Sequence, residues 1–589
     1  MQDLLLRLRE RKLVQWALAY IAAAFALIQV IDVVAQRFGW PDALERVLIL
    51  ALVLGFFVTL VLAWYHGEKG AQKITSTELA ILTLLLGIGV VLIWRMAQAP
   101  GVATTPNVRA GAKESATSIP DKSIAVLPLM NESGEKDQQY FSDGLSEDLI
   151  TALSQFAGLK VIARESSFKF RNSGDNAKTI GAKLGVAHLL EGSVQRAGDV
   201  VRVSATLIKA ADGSAIWSQH YDRPYKDLFA LQDDITQQVA VALKAELMGA
   251  ADARVKSQSD RPPGGSVAAY DALLDGNFNA AQESETSLRK AVVAFQRATA
   301  QDPAYAMAYA RLSMAWTELA GTVLDSASPE RPQAIAEARK AADTALRLDP
   351  DLAETHVARG FLMAWALLDW RGAEVEFNKA LAIDPGNRDA MHLLADTLAT
   401  LGRAEDAIRL DQRVLETNPL DAGTYAALAY FYSGLWQLDD AEHAIRRAIA
   451  LQPDGIANQA NLALVLVQRG DAKDALQAAK AETTAGNRAW ALALAYAASA
   501  DRTAAGVALK DFIARFADDM AYNIAEVYAY RRQPDQAFVW LDRARDQNDG
   551  GIQYLLYDPF LLHYKDDPRF AAFCKKVGLP TTTDANAMP

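Results

Sequence analysis

The rhythm of hydrophobic and polar positions changes several times along the 589-residue chain. Leu13–Val34, Val47–Tyr65 and Leu79–Trp94 are apolar runs interrupted by a single charge, Asp32. Each is long enough, as a helix, to cross about 30 Å of hydrocarbon, the third only just, which predicts three membrane spans over 13–96. Residues 97–121 lose all period and are rich in Ala, Pro, Thr, Ser and Gly, so they read as a linker. Short apolar runs then alternate with helical stretches. "SIAVLPL" (Ser123–Leu129) predicts a buried strand, and "FSDGLSEDLITALSQF" a helix with Ser142 as N-cap. "LKVIAR" predicts a second strand and Ala177–Leu184 a short helix. Turns at Gly198-Asp199 and Asp212-Gly213 separate three alternating segments, the pattern of successive hairpins. A last helix is expected over Leu228–Leu247, completing an α/β domain at 122–249. After a second linker, 250–265, the pattern is helical and Ala-rich to residue 580, and 581–589 is a tail.

That helical stretch is punctuated at regular intervals. Pro303, Pro350, Pro385, Pro419 and Pro453 lie 47, 35, 34 and 34 residues apart. Proline cannot continue a helix interior, so each marks a stop. Ahead of them recurs a spacing of Ala, bulky residue, Ala, Pro: Ala291-Phe295-Ala298-Pro303, Ala373-Phe377-Ala380-Pro385 and Ala441-Ile445-Ala448-Pro453. Ala338-Ala342-Ala345-Pro350 and Ala407-Asp411-Val414-Pro419 are looser versions. Small residues at this spacing let antiparallel helices approach closely, and the bulky residue fills the gap. Period and pattern resemble the tetratricopeptide repeat, a 34-residue helix-turn-helix unit. About eight units are expected between 266 and 580, an all-α solenoid.

Charge narrows the ligands. The net charge is −11, and the repeats hold 32 Lys and Arg against 43 Asp and Glu. An acidic solenoid argues against nucleic acid, whose phosphates need a basic patch. One cysteine, Cys574, excludes an internal disulfide and a cysteine-rich zinc site. Arg7, Arg9, Arg11 and Lys12 precede the first run, and Lys69 and Lys73 lie between the second and third. By the positive-inside rule residues 1–12 are expected in the cytoplasm and everything beyond about 96 in the periplasm of a bacterial inner membrane.

Several stretches carry a wider resemblance. "SIAVLPLMNES", "YFSDGLSEDLITAL", "HLLEGSVQRAGDVVRVSATLIKAADGSAIWSQHYDR" and "LFALQDDITQQVA" resemble the TolB-like (FlgO-like) domain found ahead of tetratricopeptide repeats in bacterial membrane proteins. "RKLVQWALAYIAAAFALIQVIDVV", "GFFVTLVLAWYHGEKG" and the terminal "DPRFAAFCKKVGL" are similar to other parts of that family. Relatives often carry a cyclase, a DNA-binding domain or a kinase before the membrane. Only Met1–Lys12 precedes the first run here, so the resemblance does not imply such an output. The expected fold class is multidomain: three transmembrane helices, a small α/β domain and a repeat solenoid.

Candidate chemistry is sparse. Phosphate-loop, zinc-protease, nucleophile-elbow and dinucleotide motifs are absent from the sequence. The seven histidines form no close pair at metal-ligand spacing. Asp143, Glu147 and Asp148 could serve acid–base work or a cation, but acids early in a helix more simply complement its dipole. No cofactor or metal is expected. The repeat register instead places Thr355 and Trp365, then Asp389, His392 and Asp396, then Tyr430 and Ser433 on first helices facing the concave side. The expectation is a non-enzymatic, membrane-anchored scaffold whose solenoid binds protein or peptide partners. A transmembrane sensor with a separate effector and a cell-envelope hydrolase are the alternatives, and the chain could also self-associate.

Overall fold

The computed structural model describes residues 119–133, 138–156, 158–247, 261–282, 284–323 and 328–581, and among these described residues there are six strands and twenty-one α-helices. The strands come first: β1 (Ser123–Val126), β2 (Met130–Asn131), β3 (Lys160–Val161), β4 (His188–Ala197), β5 (Val200–Lys209) and β6 (Ala215–Pro224). The sheet order is β3-β1-β4-β5-β6, with β2 also on β4. β1 runs parallel to β3 and β4, while β4, β5 and β6 form an antiparallel meander. Both meander turns need a left-handed residue, and Gly198 and Gly213 supply it at φ 59° and 72°.

Helices α1 (Gln139–Ser154), α2 (Arg164–Ser167), α3 (Ala177–Leu184) and α4 (Leu228–Leu247) cover the sheet. Phe141, Leu145 and Leu149 of α1 and Leu231, Ile235 and Val239 of α4 bury one face with Val201, Val203 and Leu207. Ile180 and Leu184 of α3 bury the other face with Leu189 and Ile208. Because both faces are covered, β1 is fully buried and reads as an unbroken apolar run. β1 ends sooner than its apolar run because Pro128 cannot continue the ladder. Helix α1 begins three residues before Ser142, so that serine is buried inside the helix rather than capping it.

Eight helix pairs follow. They are α5 (Val267–Ala280) with α6 (Glu285–Gln301), α7 (Ala306–Glu318) with α8 (Arg331–Leu348), α9 (Ala353–Phe361) with α10 (Trp370–Ile383), and α11 (Arg388–Thr400) with α12 (Ala404–Thr417). Then come α13 (Ala422–Gly434) with α14 (Leu438–Leu451), α15 (Asn458–Arg469) with α16 (Ala472–Ala481), α17 (Ala485–Ala498) with α18 (Arg502–Phe516), and α19 (Ala521–Tyr530) with α20 (Pro534–Asp546). The recurring alanines Ala291, Ala298, Ala373, Ala380, Ala441 and Ala448 have no exposed surface. Phe295 and Phe377 fill the gap so closely that a Cβ on Gly276 or Gly360 would lie 2.3 and 2.6 Å from a ring carbon. Asp302, Asp349 and Asp384 end their helices in extended backbone, as the following proline requires.

Within successive pairs the turn repeats as well. Leu368, Gly402, Trp436 and Gly470 all have positive φ, at 54°, 83°, 59° and 84°. After Gly402, Trp436 and Gly470 the next N–H reaches back five residues, as Arg403 does to the Leu398 carbonyl at 2.8 Å, closing a Schellman turn, and after Leu368 the Asp369 N–H reaches six, to Met363. After α20 the chain leaves the repeat pattern. Residues 549–564 double back with 3₁₀ turns at Gly550–Tyr554 and Leu561–Tyr564, and α21 (Pro568–Lys576) closes on α20.

The sheet region is joined to the solenoid at two places. Asp271 of α5 accepts from Tyr140 at 3.1 Å and Tyr225 at 2.9 Å, and pairs with Arg196 at 3.3 Å. Arg196 stacks 3.7 Å above the Tyr225 ring. Burial and Asp271 push the Tyr140 phenol up to about 12, so it remains a donor. The second joint lies between the fourth and fifth pairs. The Ala163 N–H bonds the Thr417 carbonyl at 2.9 Å, and Leu420 joins the apolar face beside α3.

This architecture corrects the expected fold class and location. Among the described residues no helix is long and apolar enough to cross a membrane. The 20-residue α4 carries Gln232, Asp233, Asp234, Gln237 and Gln238 within its length. The class that stands is a small sheet region followed by an all-helical solenoid. The three apolar runs at 13–96 lie outside the described residues, and the inner-membrane, periplasmic assignment that rested on them is withdrawn.

Candidate functional site

Helix α11 places Asp389, His392 and Asp396 three and four residues apart, on one face. Asp389 is exposed and lies 3.7 Å from Arg311 of α7, two pairs back. His392 Nδ1 is 3.0 Å from Asp411 Oδ1 of α12, and its Nε2 is 4.0 Å from Asp396. Burial alone would lower the imidazolium, but Asp411 and Asp396 overcome it and lift His392 to about 10. Burial raises Asp411 to about 6 against the pull of His392, and it raises Asp396 as well. The second oxygen of Asp411 is buried without a hydrogen-bond partner.

Asp411 stands where the other proline-ended repeats carry Phe, Ala or Ile. The aspartate was visible in sequence as a break in the Ala-bulky-Ala pattern, and the break is explained by His392 opposite it. A second buried pair, His356 Nδ1 with Glu376 Oε2 at 2.7 Å, stitches α9 to α10.

The remaining groove residues are placed differently. Trp365 is half-buried in a π-helical turn at the end of α9, edge-on to Phe361 at 5.9 Å. Thr355 is fully buried with an unpartnered hydroxyl. Ser433 is fully buried and accepts the Gln468 amide on its carbonyl at 3.0 Å. Tyr430 is half-buried, with Tyr554 at 5.0 Å and Tyr557 at 5.6 Å between ring centres. Those two tyrosines belong to residues 549–564, which sequence reasoning missed. Tyr554 also lies in the field of Asp396, so the doubled-back segment reaches both Asp396 and Tyr430.

Asp143, Glu147 and Asp148 do not converge. Asp143 holds Arg171 at 2.7 Å, Glu147 faces Arg164 at 3.4 Å, and Asp148 accepts from Gln232 at 2.6 Å. Each ties α1 to a different neighbour. Among the described residues no group of three or more His, Cys, Asp and Glu could hold a metal ion.

The C-terminal region carries tetratricopeptide repeats: that family matches residues 364–429, from the end of α9 into α13. The chain is also 34% identical over 275 residues to a Rhizobium meliloti (strain 1021) protein named "Putative adenylate cyclase 3". The matched stretch is 46% of this chain and 45% of that relative, so the chain spans under half of the curated relative's length. Similar solved structures include a tetratricopeptide repeat protein from Parabacteroides merdae, 15% identical, covering 46% of this chain and 100% of that one, TM-score 0.32. PilW, titled a type IV pilus biogenesis factor, is 17% identical over 44% of this chain and 98% of its own, TM-score 0.29. YrrB, titled a repeat protein with an unusual peptide-binding site, is 20% identical over 34% of this chain and 92% of its own, TM-score 0.23.

Proposed function

We propose that this chain is a protein–protein interaction scaffold whose solenoid binds protein or peptide segments, with a TolB-like sheet region fixed against its first half. The observation that carries this reading is the eight-pair solenoid, whose family match falls on the units that present Trp365, Asp389, His392 and Asp396. Stacked helix pairs build a long recognition surface without a catalytic pocket. Trp365 offers an aromatic anchor, and anchors of this kind carry most of the energy of such contacts. The acids of α11 favour partner segments with a basic residue beside an apolar one. The cyclase name belongs to a relative more than half of which lies outside the match.

Site-directed photocrosslinking in intact cells tests the reading. A crosslinker at Trp365 or Asp396 should trap a defined polypeptide, while one at the exposed positions Val507 or Val539 should not. Equal trapping at all four positions would remove the groove from consideration.

A further inference from the structure

Residues 549–564 are not a ninth repeat. They turn away after Asn548, which has φ 52°, and run back across first helices already packed on their neighbours. The contacts are aromatic and close. Tyr554 and Tyr557 flank Tyr430, and Tyr557 also meets Phe431 edge-on at 5.5 Å. Leu556 covers the turn at Gly402, where an added Cβ would sit 3.4 Å from its methyl. At Gly434 the approach is closer still, since a Cβ there would lie 2.2 Å from the Tyr557 carbonyl oxygen. Asp558 anchors the segment by accepting from the Tyr522 hydroxyl at 2.9 Å and from the Phe560 and Leu561 N–H groups at 2.8 Å.

One feature of the seat opposes it. Asp558 and Glu526 of α19 are both fully buried, and among the described ion pairs no cation accompanies either. Burying two carboxyl groups together is costly whether they repel as anions or hold protons. The aromatic contacts favour the seated segment while the carboxyl pair disfavours it. That balance is what an exchangeable occupant needs.

We propose that the concave face formed by α11, α13 and α19 is a docking surface for a turn-forming partner segment bearing two tyrosines three residues apart followed by a carboxylate, and that residues 549–564 occupy it in cis. The partner chemistry is read from the occupant, Tyr554-Leu555-Leu556-Tyr557-Asp558. This rests on the scaffold reading and names one class of segment the scaffold takes. Binding then requires the cis segment to lift, which makes residues 549–564 an autoinhibitory strap.

The test uses the full chain and a labelled synthetic peptide of residues 549–564. Gly434→Ala puts a methyl against the Tyr557 carbonyl, while alanine itself suits the end of α13. Limited proteolysis reads strap release, and fluorescence anisotropy reads peptide binding. The wild type should protect the strap and bind the peptide weakly. Tyr557→Ala weakens the strap and leaves the seat intact; it should be cut within 549–564 and bind the peptide about tenfold tighter, because a mostly closed seat lowers apparent affinity by the open fraction. A scrambled peptide should not bind. Gly434→Ala should release the strap without gaining peptide binding, since its methyl meets the peptide's own Tyr557 carbonyl. A released strap in Tyr557→Ala without peptide binding would overturn the docking surface. A strap that stays protected in both variants, or loss of cooperative folding in both, would show it to be a fixed part of the core. No natural partner enters the measurement, so its failure leaves the scaffold reading standing.

Discussion

Ser166 donates a 2.5 Å hydrogen bond to the Asn418 side chain across 252 residues of sequence. The same hydroxyl accepts the Leu420 N–H at 2.9 Å, so one buried serine satisfies two groups on the solenoid. Ser166→Ala leaves both without their partner at a buried joint, which should cost about 1–3 kcal/mol. Urea denaturation measures the loss. Hydrogen exchange should rise first in α2 and in the loop between α12 and α13. Uniform loosening of the whole chain would argue against a local joint.

Helix contacts in the repeats should respond to a single methyl. Gly360→Ala and Gly276→Ala push a Cβ into the rings of Phe377 and Phe295 and should destabilise by about 1–3 kcal/mol through overpacking. Ala380→Leu and Ala448→Leu should behave alike, since both alanines lack exposed surface. Gly506→Ala, with nothing within 4 Å of the new methyl, should instead stabilise α18 by about 0.5–1 kcal/mol. Thermal melting of the five variants would separate packing from helix propensity, and equal shifts would refute the register.

The His392–Asp411 contact has a pH signature. His392 is raised in the folded chain to about 10 from an ordinary value of 6.5. Its contribution is therefore complete below about 6.5 and is lost as pH rises through about 10. His392→Gln should cost about 1.5–3 kcal/mol at neutral pH by removing a charged partner from buried Asp411. The double change with Asp411→Leu, the apolar type of residue used in other repeats, should recover much of it. Denaturation midpoints across pH 6 to 10 would show the single variant's deficit shrinking; a constant deficit would contradict the pairing.

A different titration belongs to the strap. Burial and the neighbouring Asp558 raise Glu526 well above the carboxylate range, and burial raises Asp558 too. Both folded values exceed the unfolded ones, so the protonated pair's stabilisation is whole in acid and lost as pH climbs through the raised values. Glu526→Gln keeps the shape and removes one titration. The variant should gain on the wild type in denaturation midpoint as pH rises from 6 to 9. Parallel curves would mean the pair does not titrate in that interval.

Local rules made much of this fold legible. The prolines, the Ala-bulky-Ala spacing and the Gly-containing hairpin turns each dictate backbone or packing without reference to distant chain. The strap was opaque because residues 549–564 have no period; their partners, Gly402, Tyr430 and Tyr522, lie in three different helix pairs. The groove positions followed from repeat register alone, and register does not reveal that Thr355 and Ser433 are sealed by neighbouring helices. Asp411 was the opposite case: it stood out in the sequence, and only its partner was missing.

The two joints of the sheet region have a mechanical meaning. A helical-repeat array behaves as a spring, lengthening by small rotations between successive pairs. Here a stiff bar is riveted to the first coil at Asp271 and to the gap between the fourth and fifth coils at Asn418. That half of the spring cannot stretch unless a rivet shears. Under tension, compliance is confined to the coils from α13 onward, and the strap, which reaches from α19 back to the turn after α11, lies across that part.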